Sequence, residues 1–171
     1  MDIDGKKWGI SYRAGFQWTL PGMISLNHMF IGEYSHNIDD KGRLAIPVKF
    51  RRELNKGAVV TRGLDNCLFL YTKTEWEKLA QRLAALPISQ ANSRAFSRLM
   101  LAGAMDVELD KQGRAILPEY LRKFAAIKKN VVIAGLYNRL EIWDEEMWSK
   151  YKGQTEAESG VIAEKMAELG V

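Results

Sequence analysis

The sequence predicts an internally duplicated α+β fold, in which one supersecondary unit occurs twice and the two copies form a pseudo-symmetric pair. The first observation is a motif at residues 39–47 (DDKGRLAIP) that returns 71 residues later at residues 110–118 (DKQGRAILP). The second is that each motif is followed by a basic segment, an apolar run, a Gly-Leu pair, a second apolar run and a tryptophan, Trp76 or Trp148. A repeat of this length indicates a supersecondary unit that is used twice.

The repeated motif itself predicts a tight turn between two extended segments. The short carboxylates of Asp39 and Asp110 can accept backbone N–H bonds within such a turn. Gly42 and Gly113 supply the positive φ that the turn requires. Pro47 then begins a helix, since its missing N–H is not needed at the first helical position. Each unit is therefore predicted to be a hairpin, a short helix and a second hairpin.

Helix signals fill the segments outside the repeated units. Thr74 with Glu77 predicts a capping box that starts a helix, and Ser89 is the predicted cap of the next helix. Asp144 is the predicted cap of the helix that carries Trp148, and an amphipathic helix is expected after Gly153. The linking segment is neither rich in Pro, Gly and Ser nor highly charged, so we do not expect a flexible linker.

Residues 1–28 stand outside the repeat and show no sustained periodicity. We expect this segment to be a poorly ordered extension from an upstream start, with the functional protein beginning near Met29. The predicted organisation is an N-terminal extension (1–28), a first module (29–75), linking helices (76–103), a second module (104–147) and a helical tail (148–171).

Composition narrows the possible functions. No apolar run approaches the roughly 18 residues that indicate a transmembrane helix. The single cysteine, Cys67, lies in an apolar run, where we predict a core residue; a chain with one cysteine fits a reducing cytoplasm. The two histidines have no companions in metal-ligand spacing, so we predict no metal site. We also expect no cofactor and no small-molecule substrate.

An enzyme is also considered, because Asp39 and Asp110 are related by the repeat and could form a carboxylate pair. Each aspartate, however, is followed by a glycine turn and an arginine. This arrangement fits a turn device better than a catalytic dyad, and we predict no enzymatic activity.

Positive charge gathers on the two repeated motifs. Residues 41–56 carry a net charge of +5 and residues 108–130 a net charge of +3, whereas the chain from residue 141 onward carries −5. Such bipolar charge is typical of a protein that binds a polyanion. The alternative is that the helices after Pro47 and Pro118 simply present solvated charged faces.

Four segments carry a resemblance to a known family: MFIGEY at 29–34, DDKGRLAIPVKFR at 39–51, TRGLDNCLFLY at 61–71 and ELDKQGRAILP at 108–118. Together they resemble the MraZ family of bacterial transcriptional regulators, and the resemblance runs from residue 29 to about residue 151. The paired Asp-x-x-x-Arg motifs are the specific signature. Residues 1–28 depart from the family pattern, which begins at the position of Met29.

The resemblance implies a fold, an assembly and a target. The fold would be two AbrB/SpoVT-like swapped-hairpin modules that form a β-barrel. The assembly would be a ring-shaped homo-oligomer, associated with the nucleoid. The target would be double-stranded DNA with repeated G-rich promoter boxes, upstream of the family's own cell-division and cell-wall gene cluster. Because Lys41 is replaced by Gln112 in the second copy, the two modules are not expected to contact DNA equally.

Two roles remain open for Arg43 and Arg114. Either they contact DNA, at phosphates or at guanine O6 and N7, or each pairs with its own aspartate and only shapes the turn. Basic residues after each proline are expected to contact phosphates and fix the register on DNA. The predicted DNA-binding residues are Lys41, Arg43, Lys49, Arg51, Arg52, Lys111, Arg114, Arg122 and Lys123, and the predicted turn-shaping residues are Asp39, Gly42, Asp110 and Gly113.

Apolar residues at helical spacing in the same segments are assigned to the core. These are Phe50, Leu54, Leu121 and Phe124, while Tyr71, Trp76, Trp143 and Trp148 are assigned to the core or to a subunit interface. A purely structural assembly module that acts through protein contacts is the alternative function.

Deleting residues 1–28 tests the predicted extension. If the segment lies outside the fold, a chain that begins at Met29 should keep its melting temperature and its DNA affinity. A large loss of melting temperature, measured by thermal denaturation against the full chain, would show that the segment belongs to the core.

Overall fold

The computed structural model of the chain describes residues 29–170. The predicted extension at 1–28 therefore lies outside the described residues. The first unit contains β1 (Phe30–Asn37), β2 (Arg43–Ala45), α1 (Val48–Leu54), β3 (Ala58–Arg62) and β4 (Leu68–Thr72). Helices α2 (Lys73–Ala84) and α3 (Ala91–Leu101) follow it. The second unit contains β5 (Met105–Val107), β6 (Arg114–Ile116), α4 (Glu119–Phe124), β7 (Asn130–Tyr137) and β8 (Leu140–Asp144), before α5 (Glu145–Ala157) and α6 (Ser159–Ala167).

The strands of the two units are interleaved in one antiparallel sheet of six strands, in the order β1-β7-β8-β4-β3-β5. Strand β1 pairs with β7 along its whole length, from Phe30 opposite Tyr137 to Asn37 opposite Asn130. Reciprocally, β5 pairs with β3, with Ala58 opposite Val107. The first strand of each unit therefore pairs with the second hairpin of the other unit, and β4 pairs with β8 at the centre of the sheet.

Strands β2 and β6 form a separate two-stranded ribbon, in which Leu44 lies opposite Ala115. These two residues are equivalent in the repeat, so the pseudo-two-fold axis passes between them. On either side of this central pair, Arg43 lies opposite Ile116 and Ala45 lies opposite Arg114. The α+β class and the internal duplication are thus confirmed.

The expected barrel is not formed by this strand pairing, since β1 and β5 are the two edges of an open six-stranded sheet. The reason lies in the first turn of each unit. Beyond the turn at Asp39, β1 and β2 share one isolated bridge, Ile38 with Leu44, because β2 leaves the sheet to pair with β6. Each first hairpin is consequently reduced to its turn.

The core is divided by the sheet into two clusters. The larger cluster lies between one sheet face, the β2–β6 ribbon and the short helices α1 and α4, and it takes equivalent residues from both units, such as Phe50 with Leu121. The smaller cluster covers the other face with α2, α3 and α5, and it includes Phe69, Tyr71 and Trp143. The predicted core positions of α1 and α4 are confirmed: Phe50, Leu54 and Leu121 are buried and Phe124 packs against them.

The repeat offset changes along the chain. Strand β3 meets β5 at Ala58 opposite Val107, while β7 meets β1 at Val131 opposite His36, so Ala58 and Val131 are equivalent with an offset of 73. The Gly-Leu pairs differ by only 72 residues and are therefore not structurally equivalent. Gly63 lies in the β3–β4 turn, whereas Gly135 lies within β7, where a Cβ atom would come 2.6 Å from the Ile31 nitrogen.

The helix caps differ partly from the sequence prediction. Thr72, not Thr74, caps α2 by accepting a hydrogen bond from the Glu75 N–H at 3.2 Å, because β4 continues into the helix without a loop. Gln90, not Ser89, precedes α3, and its side chain makes no capping bond. The predicted cap of α5 is confirmed, with Asp144 accepting from the Glu146 N–H at 3.1 Å. Among residues 29–170, no helix combines the length and the hydrophobicity needed to cross a bilayer.

Candidate nucleic-acid interface

The first turn is organised by the carboxylate of Asp39. Its Oδ1 atom accepts the backbone N–H groups of Lys41 at 3.0 Å and Arg43 at 2.9 Å. Its Oδ2 atom accepts the Nε–H of the Arg43 side chain at 2.6 Å. Gly42 has φ of +75° and donates its N–H to the Asp39 carbonyl at 2.8 Å, which closes the turn. One carboxylate thus fixes both the backbone of the turn and the direction of the arginine.

The second turn repeats this geometry almost atom for atom. Asp110 Oδ1 accepts the N–H groups of Gln112 at 2.9 Å and Arg114 at 3.0 Å, and Oδ2 accepts Arg114 Nε–H at 2.8 Å. Gly113 has φ of +76°. Arginine–aspartate pairing within each motif, one of the two roles left open by the sequence, is therefore observed in both copies. The arginine side chains remain partly exposed, at 30% for Arg43 and 25% for Arg114.

These contacts lower the pKa values of both carboxyl groups. The backbone N–H of Arg43 is the main cause at Asp39, followed among the favourable contacts by the Arg43 side chain. At Asp110 the Arg114 side chain is the main cause, and together with the backbone N–H groups of Arg114 and Gln112 it lowers the pKa from 3.8 to about 2. Hydrogen bonds to the charged form of a carboxyl group favour that form, so both turns hold an ionised aspartate at neutral pH.

Each turn is also held by the other unit. The Gly42 carbonyl accepts the N–H of Leu117 at 2.8 Å, and the Gly113 carbonyl accepts the N–H of Ile46 at 3.0 Å. The sequence analysis missed these two aliphatic residues. The sequence feature that could have indicated them is that each directly precedes the proline of its motif. The backbone before a proline is biased toward an extended conformation, in which its N–H can pair with another strand.

Two of the predicted DNA-binding arginines cover these turns. Arg51 donates its Nε–H to the Ile46 carbonyl at 2.7 Å, and its side chain occupies the space where a Cβ atom on Gly113 would lie. Arg122 donates its Nε–H to the Leu117 carbonyl at 3.1 Å, and a Cβ atom on Gly42 would lie 3.1 Å from that nitrogen. Arg51 and Arg122 therefore position the turn of the opposite unit.

The outward face of the β2–β6 ribbon brings Arg43 and Arg114 together. Leu44 and Ala115 point inward and are fully buried. Because side chains alternate along a strand, Arg43, Arg114 and Ile116 point outward with Ala45. Arg43 and Arg114 are diagonal neighbours across the ribbon, a relation that places two residues about 7–8 Å apart.

The other predicted DNA-binding residues are exposed and differ in their contacts. Lys49 Nζ donates to the Ile31 carbonyl at 2.5 Å and lies 4.8 Å from the ring centroids of Tyr34 and Phe50. Lys123 forms an exposed ion pair with Glu119 at 2.6 Å. Lys41, Arg52 and Lys111 are exposed.

The cysteine and the aromatic residues singled out in the sequence belong to the core or pack against it. Cys67 is buried, its Sγ–H donates to the Leu64 carbonyl at 3.0 Å, and burial raises the pKa of its thiol, as expected for a core cysteine. Tyr71 and Trp143 are buried, while Trp76 and Trp148 pack against the same cluster. Within residues 29–170, no group of His, Cys, Asp and Glu side chains is arranged to hold a metal ion.

Comparisons with known proteins agree with this duplicated architecture. The family described as "MraZ protein, putative antitoxin-like" matches the chain twice, at residues 29–99 and 100–169. A protein of Natranaerobius thermophilus named "Transcriptional regulator MraZ" is 48% identical over 143 residues, which cover 84% of this chain and all of the relative. Proteins of the same name from Halothermothrix orenii and Moorella thermoacetica are 49% and 47% identical, again over 84% of this chain and all of each relative.

The protein is thus a duplicated α+β protein in which each unit carries an arginine–aspartate turn. The chain belongs to the MraZ family, which confirms the resemblance found in its motifs. The relatives are named as transcriptional regulators and not as enzymes.

The lowered pKa of Asp110 predicts a contribution to acid stability. Because the folded-state pKa lies below the ordinary value, the ionised carboxylate stabilises the fold above about pH 4, and this contribution is lost as the pH falls toward about 2. We expect Asp110→Asn to lower the urea midpoint at pH 6, with the difference from the wild-type chain shrinking as the pH falls. Asp40→Asn, an exposed neighbour of the first turn, is the matched control. A difference that stays constant from pH 6 to pH 2 would contradict the ionic role.

Proposed function

We propose that this chain is a transcriptional regulator that binds double-stranded DNA sequence-specifically through the outward face of the β2–β6 ribbon. The observation that carries the proposal is the pair of arginines, Arg43 and Arg114, which project from this ribbon and are related by its pseudo-two-fold axis. The major groove of B-DNA is wide enough to admit a two-stranded β-ribbon. Protein two-fold symmetry is matched by the local symmetry of an operator.

The two arginines are the residues proposed to read bases. A guanidinium group can bind guanine O6 and N7 with two parallel hydrogen bonds, and this is the commonest specific contact in the major groove. Asp39 and Asp110 hold the two side chains in place before DNA arrives. A side chain that is already positioned loses less rotational freedom on binding, so the turn-shaping role and the DNA-contacting role are compatible in one residue.

The other basic residues are proposed to contact DNA phosphates. Arg52 and Lys41 are exposed in the first unit, and Lys111 and Lys123 are exposed in the second. Arg51 and Arg122 are partly buried over the turns, so their main role in this proposal is to position the ribbon while adding positive potential. Lys49 is exposed but bonds to the β1 backbone at Ile31, so its phosphate contact is proposed from its charge and its place after Pro47.

The finer fold assignment is also proposed here. The exchange of β1 and β5 between the two units supports two AbrB/SpoVT-like swapped-hairpin modules, at 29–75 and 104–147, with linking helices at 76–103 and a tail at 148–171. By family resemblance, we propose a ring-shaped homo-oligomer that binds repeated G-rich boxes upstream of a cell-division and cell-wall gene cluster, in the nucleoid.

A structural assembly module is the alternative function, and exposed apolar residues of the tail favour it. Val161, Ile162 and Met166 on α6 are between 37% and 57% exposed. A mobility shift with DNA from upstream of the chain's own gene, compared with a scrambled duplex of equal length, separates the two functions. Equal affinity for both duplexes would overturn sequence-specific binding.

Replacing Arg43 tests base reading. We expect Arg43→Ala to reduce discrimination between the upstream and scrambled duplexes by about 1–3 kcal/mol, the value of one bidentate pair. Arg43→Lys keeps the charge but loses the planar pair of donors, so it should lose discrimination while the salt dependence of binding is retained. Melting temperatures must be measured in parallel. If folded Arg43→Ala keeps its full preference, Arg43 only shapes the turn.

Replacing Arg52 tests phosphate contact. Arg52→Ala should weaken binding to both duplexes alike and reduce the slope of log affinity against log salt by about one unit per site. Arg94→Ala is the matched control, because Arg94 lies on α3 and bonds to the Ile88 and Ser89 carbonyls in the connection that precedes this helix. A selective loss for the upstream duplex would instead assign base reading to Arg52.

The proposed assembly has its own test. One chain offers a single ribbon, and linking several sites can raise avidity by about 10²–10⁴ without new contacts. We therefore expect light scattering to show a homo-oligomer, and duplexes with several boxes to bind more tightly than duplexes with one. A monomer that binds a single box tightly would contradict this prediction.

A further inference from the structure

The two halves of the ribbon present different side chains beside their arginines. Ile116 lies directly opposite Arg43 and is 59% exposed. Its counterpart in the other half is Ala45, which lies opposite Arg114. The backbone of the ribbon is therefore pseudo-symmetric, while its outward surface carries one large aliphatic side chain on one side only.

Packing among residues 29–170 does not account for this isoleucine. Its neighbours Ala115 and Leu117 point inward and are at most 1% exposed, so strand alternation directs Ile116 away from the core. The first unit forms the same ribbon with alanine at the equivalent position. A branched aliphatic side chain is thus not required for the β2–β6 pairing.

The exposed position of Ile116 beside Arg43 suggests that its side chain contacts an apolar group on DNA. In the major groove, the C5 methyl of thymine is the group that apolar side chains contact. Side chains directly opposite each other in an antiparallel pair have Cβ atoms about 4.5–5.5 Å apart, and successive base pairs rise about 3.4 Å. Ile116 and Arg43 would therefore meet the same base pair or neighbouring ones.

We infer that Ile116 contacts the methyl group of a thymine beside the guanine bound by Arg43, and that the ribbon thereby binds an asymmetric site in one orientation. This inference rests on the proposed function, since it requires the ribbon to enter the major groove. The first half then combines Arg43 with a thymine contact supplied by the second unit. The other half reads only through Arg114, because Ala45 is too short to make the matching contact.

Uracil substitution tests this contact, because deoxyuridine lacks only the C5 methyl. The shortest upstream duplex that the full chain shifts is prepared in versions with each thymine replaced singly by deoxyuridine. At one thymine, the replacement should weaken binding of the wild-type chain about fourfold, the equivalent of ~0.8 kcal/mol for one buried methyl group. Ile116→Ala should show the same loss on the thymine duplex and no further loss on the uracil duplex.

Two further variants complete the experiment. Ala45→Ile should create sensitivity to uracil at the symmetry-related position, and it keeps the test valid if Ile116→Ala folds poorly. Ile88→Ala is the matched control, since Ile88 is 82% exposed in the connection between α2 and α3. It should bind both duplexes as the wild-type chain does.

Each outcome decides the inference. If the loss of affinity from Ile116→Ala and the loss from uracil are independent at every thymine, so that the combined loss is their product, the inference is wrong. A loss on all duplexes with a change in oligomer mass would also overturn it, because that result would place Ile116 in a protein interface. Arg43→Ala and Arg114→Ala distinguish these results from failure of the proposed function: if both folded variants keep the full preference for the upstream duplex, the ribbon does not read DNA.

Discussion

The fold depends on a reciprocal contact in which each unit completes the turn of the other. The carbonyl groups of Gly42 and Gly113 are each bonded by a backbone N–H from the opposite unit. The side chains of Arg51 and Arg122 then cover the same glycines, in space that a Cβ atom would occupy. Neither turn is fully bonded without the other copy, so a single unit cannot form this arrangement alone. Duplication within one chain supplies the second copy at fixed stoichiometry.

Symmetry is retained where the two units contact each other and is relaxed elsewhere. The aspartate, glycine and arginine of each turn keep the same bonds in both copies, and equivalent residues of α1 and α4 fill the shared core. Outside these contacts the copies diverge: Lys49 corresponds to Tyr120, whose hydroxyl donates to the Gly103 carbonyl. Because such positions do not bear on the reciprocal contact, they are free to differ between the two units.

The sequence predicted the local parts of this structure better than their connections. Spacing identified the repeat, the turns at Asp39 and Asp110, the core side of α1 and the Asp144 cap, because each depends on residues close together in the chain. It did not predict that β1 pairs with β7, nor that Arg51 covers Gly113, since both contacts join residues of different units. The two Gly-Leu pairs suggested a wrong equivalence between the units. The second unit gains two residues before β7 and loses one before β8, so the pairs look aligned in the sequence although they occupy different positions in the sheet.

The turn carboxylate explains how one motif can serve both the fold and the proposed DNA contact. Exposed ion pairs contribute little to stability on their own, and the Asp39–Arg43 pair is partly exposed. The two oxygens of Asp39 have separate tasks: Oδ1 accepts the backbone N–H groups that define the turn, and Oδ2 accepts the guanidinium. An asparagine could still offer an oxygen to the backbone, but it would present a neutral amide to the arginine. Both tasks favour the charged carboxylate, since the pKa of Asp39 is lowered first by the backbone N–H of Arg43 and, among the other favourable contacts, next by the Arg43 side chain. A guanidinium held in this way keeps its orientation, and in the proposed function the N–H donors that the carboxylate leaves free would contact a base edge.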